Sequence, residues 1–182
     1  EELDDPNGVV LRVHPTLLPR EHPLASVRGA YNAVFVEAEN AQELMFYGPG
    51  AGGAPTASAV MGDVMSIAKR QLRGGPGRTH TARRELQALD IGESITRYMV
   101  VIRADDASGV LAKVAGTFAE HQVSIKSMNQ TLDEASAEDD KTALLAFVTH
   151  RAKESELAKT LKATEALDDV REVLSVMRVE GN

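Results

Sequence analysis

A glycine-rich turn between a strand-like and a helix-like segment is the feature of this sequence best suited to contact a ligand. Tyr47 to Gly53 reads YGPGAGG, and four of these seven residues are glycines. Glycine has no Cβ, so its backbone can approach a planar or anionic group closely, and free N–H groups at a helix start carry partial positive charge. The turn therefore has the chemistry of a ligand-contacting helix N-terminus. Simple packing of a helix against a sheet is the alternative that the glycines leave open.

The turn also matches the letters of a dinucleotide-binding motif. Gly48, Gly50 and Gly53 satisfy G-x-G-x-x-G, but that fingerprint requires a parallel strand ending in an acidic residue about 20 residues further on. That position falls in 72–76, which reads LRGGP and predicts a linker. An independent Rossmann domain is therefore not expected here.

A hairpin and a helix are predicted to position the glycine turn. Segments 32–37 and 42–47 are rich in Val, Phe and Tyr, and the polar residues 39–41 between them predict a β-hairpin. Pro55 suits the first turn of a helix. Beyond it, apolar residues recur at helical spacing and predict an amphipathic helix: Val60, Val64, Ile67, Ala68 and Leu72.

The second half of the chain predicts a fold class of α/β (α+β), in the form of a βαββαβ ferredoxin-like sandwich. The predicted strands are 98–103, 123–132, 142–150 and 170–179, and the predicted helices are 109–121 and 155–167. Apolar stripes on these helices predict core residues, namely Leu111, Val114, Ala115, Phe118, Leu157, Ala158 and Leu161. The exposed edges of so small a sheet favour self-association.

Composition shifts predict the domain boundaries. Residues 1–74 form the first domain, 75–95 a linker rich in Gly, Pro, Thr and Arg near its start, and 96–182 the second domain. A short helical turn is predicted at 84–89 within the linker.

Charge and composition argue against several classes of function. A net charge of −7 and a pI near 5.3 oppose nonspecific nucleic-acid binding. The chain has no cysteine, and its five histidines lack ligand spacing, so no metal site is predicted. His14 and His22 each precede a proline but have no paired carboxylate nearby, so we expect hydrogen-bonding or packing roles. Without an apolar run of membrane-spanning length or a signal peptide, a cytoplasmic location is predicted and no membrane partner.

Four sequence blocks in the first half resemble the C-terminal part of the homoserine dehydrogenase catalytic region. In order they are 13–19 (VHPTLLP), 22–25 (HPLA), 32–37 (NAVFVE) and 47–53 (YGPGAGG). The resemblance implies interconversion of L-homoserine and L-aspartate 4-semialdehyde with NADP or NAD, a step toward threonine, methionine and isoleucine. It also implies that Gly52, with Gly50 beside it, contacts the nicotinamide cofactor.

The motifs that this family places upstream of these blocks do not occur in the sequence. They include the Rossmann half, the catalytic lysine and the acidic substrate-binding residues, so no catalytic residue is assigned here. We expect the chain to be a C-terminal fragment of the parent enzyme. It is then expected to be inactive alone.

Residues 104–118 and 123–130 resemble the ACT domain, which bacterial members of this family append. Four residues match the usual sequence motif of this domain, namely Asp106, Gly109, Val110 and Leu111. Serine replaces a common proline at position 108. Loop and helix N–H groups can take the carboxylate of a small amino acid, while Asp106 takes its ammonium. Asn129 is expected to complete the site across a dimer interface, and L-threonine is the favoured effector, although other amino acids also fit.

Less specific roles for these residues stay open. Asp106 can instead cap its helix or turn, and Asn129 can be a polar residue at a strand end. As another alternative, the ACT region assembles a homodimer or homotetramer and binds no effector. The chain as a whole can alternatively be a free-standing ACT-type amino-acid-binding or oligomerisation module, although that role gives no reason for the hairpin and glycine turn.

Overall fold

The computed structural model describes residues 8–74, 86–134, 136 and 141–181. Its strands are β1 (Gly8–Val9), β2 (Thr16–Leu17), β3 (Tyr31–Ala38), β4 (Gln42–Pro49), β5 (Gln87–Ala88), β6 (Ile95–Asp105), β7 (Ile125–Leu132), β8 (Thr142–Thr149), β9 (Ala152–Lys153) and β10 (Val170–Val179). Its α-helices are α1 (Gly53–Arg73), α2 (Val110–Glu120) and α3 (Glu154–Glu165). Short 3-10 helices occur at Pro23–Ser26 and Ile91–Glu93.

The chain divides into two compact units. Among the described residues, 18–74 form one unit, here called the hairpin unit, and 8–17 with 86–181 form the other, here called the sandwich unit. The expected boundaries placed 8–17 in the first domain and 86–95 in a linker. The structure groups them differently because β1 pairs with β5 and β2 pairs with β10. The remaining predicted linker, 75–85, lies outside the described residues.

The hairpin unit consists mainly of the predicted hairpin and helix. β3 and β4 pair antiparallel along their full length, from Tyr31 opposite Pro49 to Ala38 opposite Gln42. α1 follows the glycine turn and ends at Gly74, whose left-handed backbone caps the helix. No described residue of this unit is buried, and apolar side chains of both the hairpin and α1 are exposed, among them Val34, Phe46, Val60 and Ile67.

The sandwich unit has the predicted βαββαβ order. Its strands lie in the order β10-β6-β8-β7, and each neighbouring pair is antiparallel. β2 extends the sheet beyond β10 with two residues in parallel. The fold-class prediction is therefore confirmed, and β7 forms the edge of the sheet opposite β2.

The core of the sandwich unit lies between α2, α3 and one face of the sheet. Phe118 of α2 contacts Phe147 of β8, with ring centroids 5.1 Å apart. The prediction of the core was correct for Val114, Phe118 and Leu157, which are buried, while Leu111 and Leu161 pack partly buried against them and Ala115 is half-buried.

Ala158 was wrongly predicted to be a core residue, since it is exposed. Thr160 and Thr164 are buried on α3 instead. Their hydroxyls donate to the carbonyls of Glu156 (2.9 Å) and Thr160 (2.8 Å), and Thr164 Oγ1 lies 2.7 Å from Thr117 Oγ1 on α2. Because these hydroxyls are hydrogen-bonded, threonine is tolerated where the helices meet.

The prediction of a helical turn at 84–89 was also wrong for the part of that range that the structure describes. Gln87–Ala88 form a strand that pairs in parallel with Gly8–Val9, and Leu89 N donates to Val9 O at 2.9 Å. The partner strand lies almost eighty residues away in sequence, so local periodicity carried no sign of it.

Candidate functional site

Gly52 forms the corner between the hairpin and α1. Its backbone has φ 126° and ψ 144°, a conformation that only glycine adopts readily, and it is the residue immediately preceding the helix. Its carbonyl accepts the N–H of Thr56 at 3.1 Å, the first backbone bond of α1. A glycine at position 52 is therefore required by the backbone itself.

Gly50 is constrained in a different way. Its N–H donates to Ala30 O at 3.0 Å, and a Cβ built on it would lie 1.7 Å from Nδ2 of Asn32. The amide of Asn32 thus occupies the space of any side chain at position 50. Close packing accounts for Gly50, and cofactor contact there stays a prediction.

The start of α1 offers unoccupied donors for a ligand. No side chain caps this end of the helix, its first turn has no acidic residue, and nothing lies within 4 Å of a Cβ built on Gly53. Exposed N–H groups at a helix N-terminus attract anions and electron-rich groups. This geometry is compatible with a ligand, and ligand contact at the turn stays a prediction.

The loop before α2 holds the predicted effector residues of the sandwich unit. Asp106 is exposed, and its N–H donates to Lys141 O at 3.0 Å. Gly109 has φ 92° and precedes α2, again without a side-chain cap. Val110 is buried and Leu111 packs against the core, so these two residues can offer a ligand only their backbone groups.

Gln130, which the sequence analysis missed, is the β7 residue that reaches Asp106. Its Nε2 donates to Asp106 Oδ1 at 3.4 Å. Gln130 lies opposite Leu145, whose side chain faces the core, whereas Asn129 lies opposite Ala146. Since successive side chains of a strand point to opposite faces, Asn129 does not join Asp106 within one chain. Its predicted role across a dimer interface stays a prediction.

A polar network occupies the other end of the same sheet. Tyr98 Oη donates to Glu154 Oε2 at 3.2 Å, and Arg178 makes an ion pair with the same carboxylate through Nε, at 3.0 Å, and a second nitrogen. Burial, together with the charge of Glu154, raises the pKa of Tyr98, and the hydrogen bond to Glu154 raises the pKa of Arg178. Both side chains therefore keep their protons to a higher pH than the free groups do.

Comparison with known proteins assigns the family. The homoserine dehydrogenase family model matches residues 5–65 and the ACT domain model matches residues 98–169. The homoserine dehydrogenase of Corynebacterium glutamicum is 45% identical over 174 residues, which is 96% of this chain and 38% of the relative. That of Mycobacterium tuberculosis is 45% identical over 175 residues, covering 95% of this chain and 39% of the relative. The chain belongs to the homoserine dehydrogenase family. It spans about two fifths of the length of these relatives.

Solved homoserine dehydrogenases share the fold. The crystal structure of a homoserine dehydrogenase from Thiobacillus denitrificans matches 97% of this chain and 40% of its own, with a TM-score of 0.80 and 30% identity. The Staphylococcus aureus enzyme at pH 7.5 matches with a TM-score of 0.53 at 23% identity, which supports the fold alone. The sandwich unit is accordingly the ACT domain of this homoserine dehydrogenase family member, with β1, β2 and β5 added to it.

His14 and His22, the two histidines that precede prolines, take structural positions. His22 Nδ1 accepts the N–H of Leu24 at 3.1 Å, and its ring packs 4.7 Å from the ring of Phe35. His14 Nδ1 lies 2.9 Å from Thr16 Oγ1. Neither contact involves a carboxylate that would orient an acid–base histidine.

Metal-binding clusters and membrane-spanning helices are both absent from the described ranges. Within 8–74, 86–134, 136 and 141–181, no cluster of three or more His, Asp or Glu side chains has an arrangement that would hold a metal ion. None of the helices described there combines the length and the apolar character needed to cross a bilayer.

Proposed function

We propose that this chain belongs to an enzyme that interconverts L-homoserine and L-aspartate 4-semialdehyde, with its ACT domain binding a small amino acid that regulates the reaction. The observation that carries the proposal is 45% identity to homoserine dehydrogenases across the glycine turn and the ACT domain together. Such an oxidoreductase serves the biosynthesis of threonine, methionine and isoleucine. A cytoplasmic location stays a prediction.

The hairpin unit is proposed to supply one wall of the cofactor site. The uncapped start of α1 and the backbone of Gly52 would contact the nicotinamide cofactor, NADP or NAD, with Gly50 beside it. The exposed apolar side chains of the hairpin and of α1 are consistent with elements that pack against the rest of a catalytic region. The chain by itself is expected to give no turnover.

The ACT domain is proposed to bind its effector at the loop before α2. The carboxylate of Asp106 would accept the ammonium group of the amino acid, and the N–H groups at the start of α2 would donate to its carboxylate. Gln130 is close enough to orient Asp106. L-Threonine, a product of the pathway, is the favoured effector.

Self-association is proposed to use the β7 edge of the sheet. At the other side of the sheet β10 is paired with β2, whereas β7 has one neighbour, β8, among the strands that the structure describes. Pairing of β7 with the same strand of a second copy would bring Asn129 near the partner's site. The expected assembly is a homodimer or a homotetramer of the parent enzyme.

A free-standing ACT-type module is the second candidate function. The family match at residues 5–65 disfavours it, because an amino-acid sensor alone has no use for a segment that resembles part of a catalytic domain. The two candidates can be separated by a chimera, in which this chain replaces the matching segment of the Corynebacterium relative. Only the dehydrogenase proposal predicts that this chimera is an active enzyme.

Replacing Asp106 with alanine is expected to weaken L-threonine binding by about 10-fold to 100-fold, the loss of one hydrogen bond to a charged group. Titration calorimetry on the full chain measures this change, with isoleucine, methionine and lysine as comparison ligands. Glu120→Ala, at the exposed C-terminal end of the same helix, is the matched control and should leave the affinity unchanged. Equal affinity of Asp106→Ala and the unaltered chain would remove Asp106 from the site.

A further inference from the structure

Residues 8–17, here called the strap, run along the sandwich unit and are attached to it at both ends. β1 pairs with β5 and β2 pairs with β10, each through only two residues in parallel. Glu180 N donates to Leu17 O at 3.0 Å at the second attachment. Two-residue parallel pairings are weak, so the strap needs another source of stability.

Arg12, which lies between the two strand pairings, supplies this further stability. The apolar side chains on either side of it point to solvent, since Leu11 is 79% exposed and Val13 is fully exposed. The side chain of Arg12 is only 15% exposed. Burial of these two side chains therefore does not hold the centre of the strap, whereas Arg12 contacts the sandwich unit there.

The contacts of Arg12 reach two strands of the ACT sheet. Its guanidinium donates to Ser94 Oγ at 2.5 Å and makes an ion pair with Glu180. Thr96 Oγ1 donates to the same Glu180 carboxylate at 3.1 Å. Arg12 thus joins the strap to the start of β6 and to the residue after β10 in one partly buried cluster.

The chain passes from the strap into the hairpin unit without a linker. Leu17 is hydrogen-bonded in the ACT sheet, and Leu18 is the first residue of the hairpin unit. A displacement of the strap at Leu17 would therefore be passed along the chain directly to Leu18.

β6 connects this cluster to the proposed effector loop. It spans 11 residues, from Ile95 to Asp105, the residue before Asp106. Asp105 makes an ion pair with Arg171 of β10, so the neighbouring strands β6 and β10 are joined near the loop as well as near Arg12. One pair of hydrogen-bonded strands thus reaches from the loop to the strap.

We propose that Arg12 is a positioning residue that fastens the strap to the ACT sheet, so that amino-acid binding at the Asp106 loop is relayed through Glu180 and Arg12 to residue 18 and beyond. This relay rests on the proposed effector function. The fastening does not, because it depends only on contacts within the sandwich unit.

Hydrogen exchange of the full chain, followed by mass spectrometry, tests both parts. Without ligand, Arg12→Ala is expected to speed exchange at least about tenfold at the amides of Leu89 and Glu180, which bond to the strap, and Glu180→Gln to speed it at Leu89. Exchange within 98–104 of β6 should stay unchanged. Arg20→Ala, an exposed arginine outside the strap, is the matched control. Unchanged exchange at Leu89 and Glu180 in Arg12→Ala would overturn the fastening and the relay together.

Saturating L-threonine then tests the relay. In the unaltered chain it should alter exchange at the strap amides, and in Arg12→Ala it should still bind but leave those amides unchanged. Threonine binding without any response of the strap would overturn the relay while the effector proposal stands. Absence of binding by calorimetry would overturn the effector proposal and the relay, and the ligand-free comparison would still decide the fastening.

Discussion

Truncating Phe118 to alanine is expected to lower the free energy of unfolding of the ACT domain by about 3–5 kcal/mol, the usual cost of removing a buried phenylalanine. Phe118 is fully buried and packs against Phe147 at the centre of the core between α2 and the sheet. The remaining structure cannot close the resulting cavity completely, so both contact and transfer energy are lost. Urea unfolding followed by far-UV circular dichroism measures the difference.

A matched apolar truncation at the surface provides the control for Phe118. Leu132 on β7 is 66% exposed, and Leu132→Ala should change the free energy of unfolding by no more than about 0.5 kcal/mol. Phe118→Leu should give a loss smaller than that of Phe118→Ala. A loss at Phe118 as small as that at Leu132 would contradict the described core.

Replacing Gly52 with alanine is expected to destabilise the start of α1 by about 1–3 kcal/mol, the cost of a side chain in a backbone region that it rarely adopts. At φ 126° an alanine is strained, and its Cβ would also lie 3.3 Å from Cδ of Pro55. The change is best measured in the chimera, by urea unfolding and by the KM for the nicotinamide cofactor. The proposed cofactor contact predicts that this KM rises as well.

Gly53→Ala is the control for Gly52→Ala. Position 53 is the first residue of α1, and nothing lies within 4 Å of a Cβ built there. Alanine favours a helix over glycine by up to about 1 kcal/mol, so this change should be neutral or stabilising. Equal behaviour of the two variants would mean that the glycine turn is not held in the described conformation.

Elements with strong local patterns could be predicted from the sequence. The alternating strand residues of 32–37 and 170–179 and the apolar stripe of α2 predicted those elements closely, because the periodicity of burial is imposed within a few residues. The same argument failed for Ala158. A threonine can be buried when its hydroxyl donates a hydrogen bond to a backbone carbonyl of its own helix, as Thr160 does. A search for apolar residues at helical spacing cannot detect such a threonine.

Contacts between distant residues could not be predicted in this way. Arg12 and Glu180 are 168 positions apart, and nothing local to either residue marks it as part of an ion pair. Gln130 was missed for a related reason, since its approach to Asp106 depends on which face of β7 meets the helices. That face is set by the register with β8, where Gln130 lies opposite Leu145.

The glycine turn was predicted in part. The sequence indicated a turn at a helix start, and the structure gives a separate physical reason for each of two glycines, the backbone angle of Gly52 and the proximity of Asn32 to Gly50. Neither reason is specific to a ligand. Contact of this turn with a cofactor therefore stays a prediction that rests on the resemblance to homoserine dehydrogenases.

The oxidation of L-homoserine by the chimera, followed as NADPH or NADH absorbance, is the most direct test of the proposed function. This chain would replace the matching segment of the Corynebacterium relative, with which it is 45% identical over 174 residues. The proposal predicts turnover that depends on homoserine and that L-threonine inhibits. A chimera that is folded by circular dichroism, yet shows no turnover with either cofactor, would contradict it.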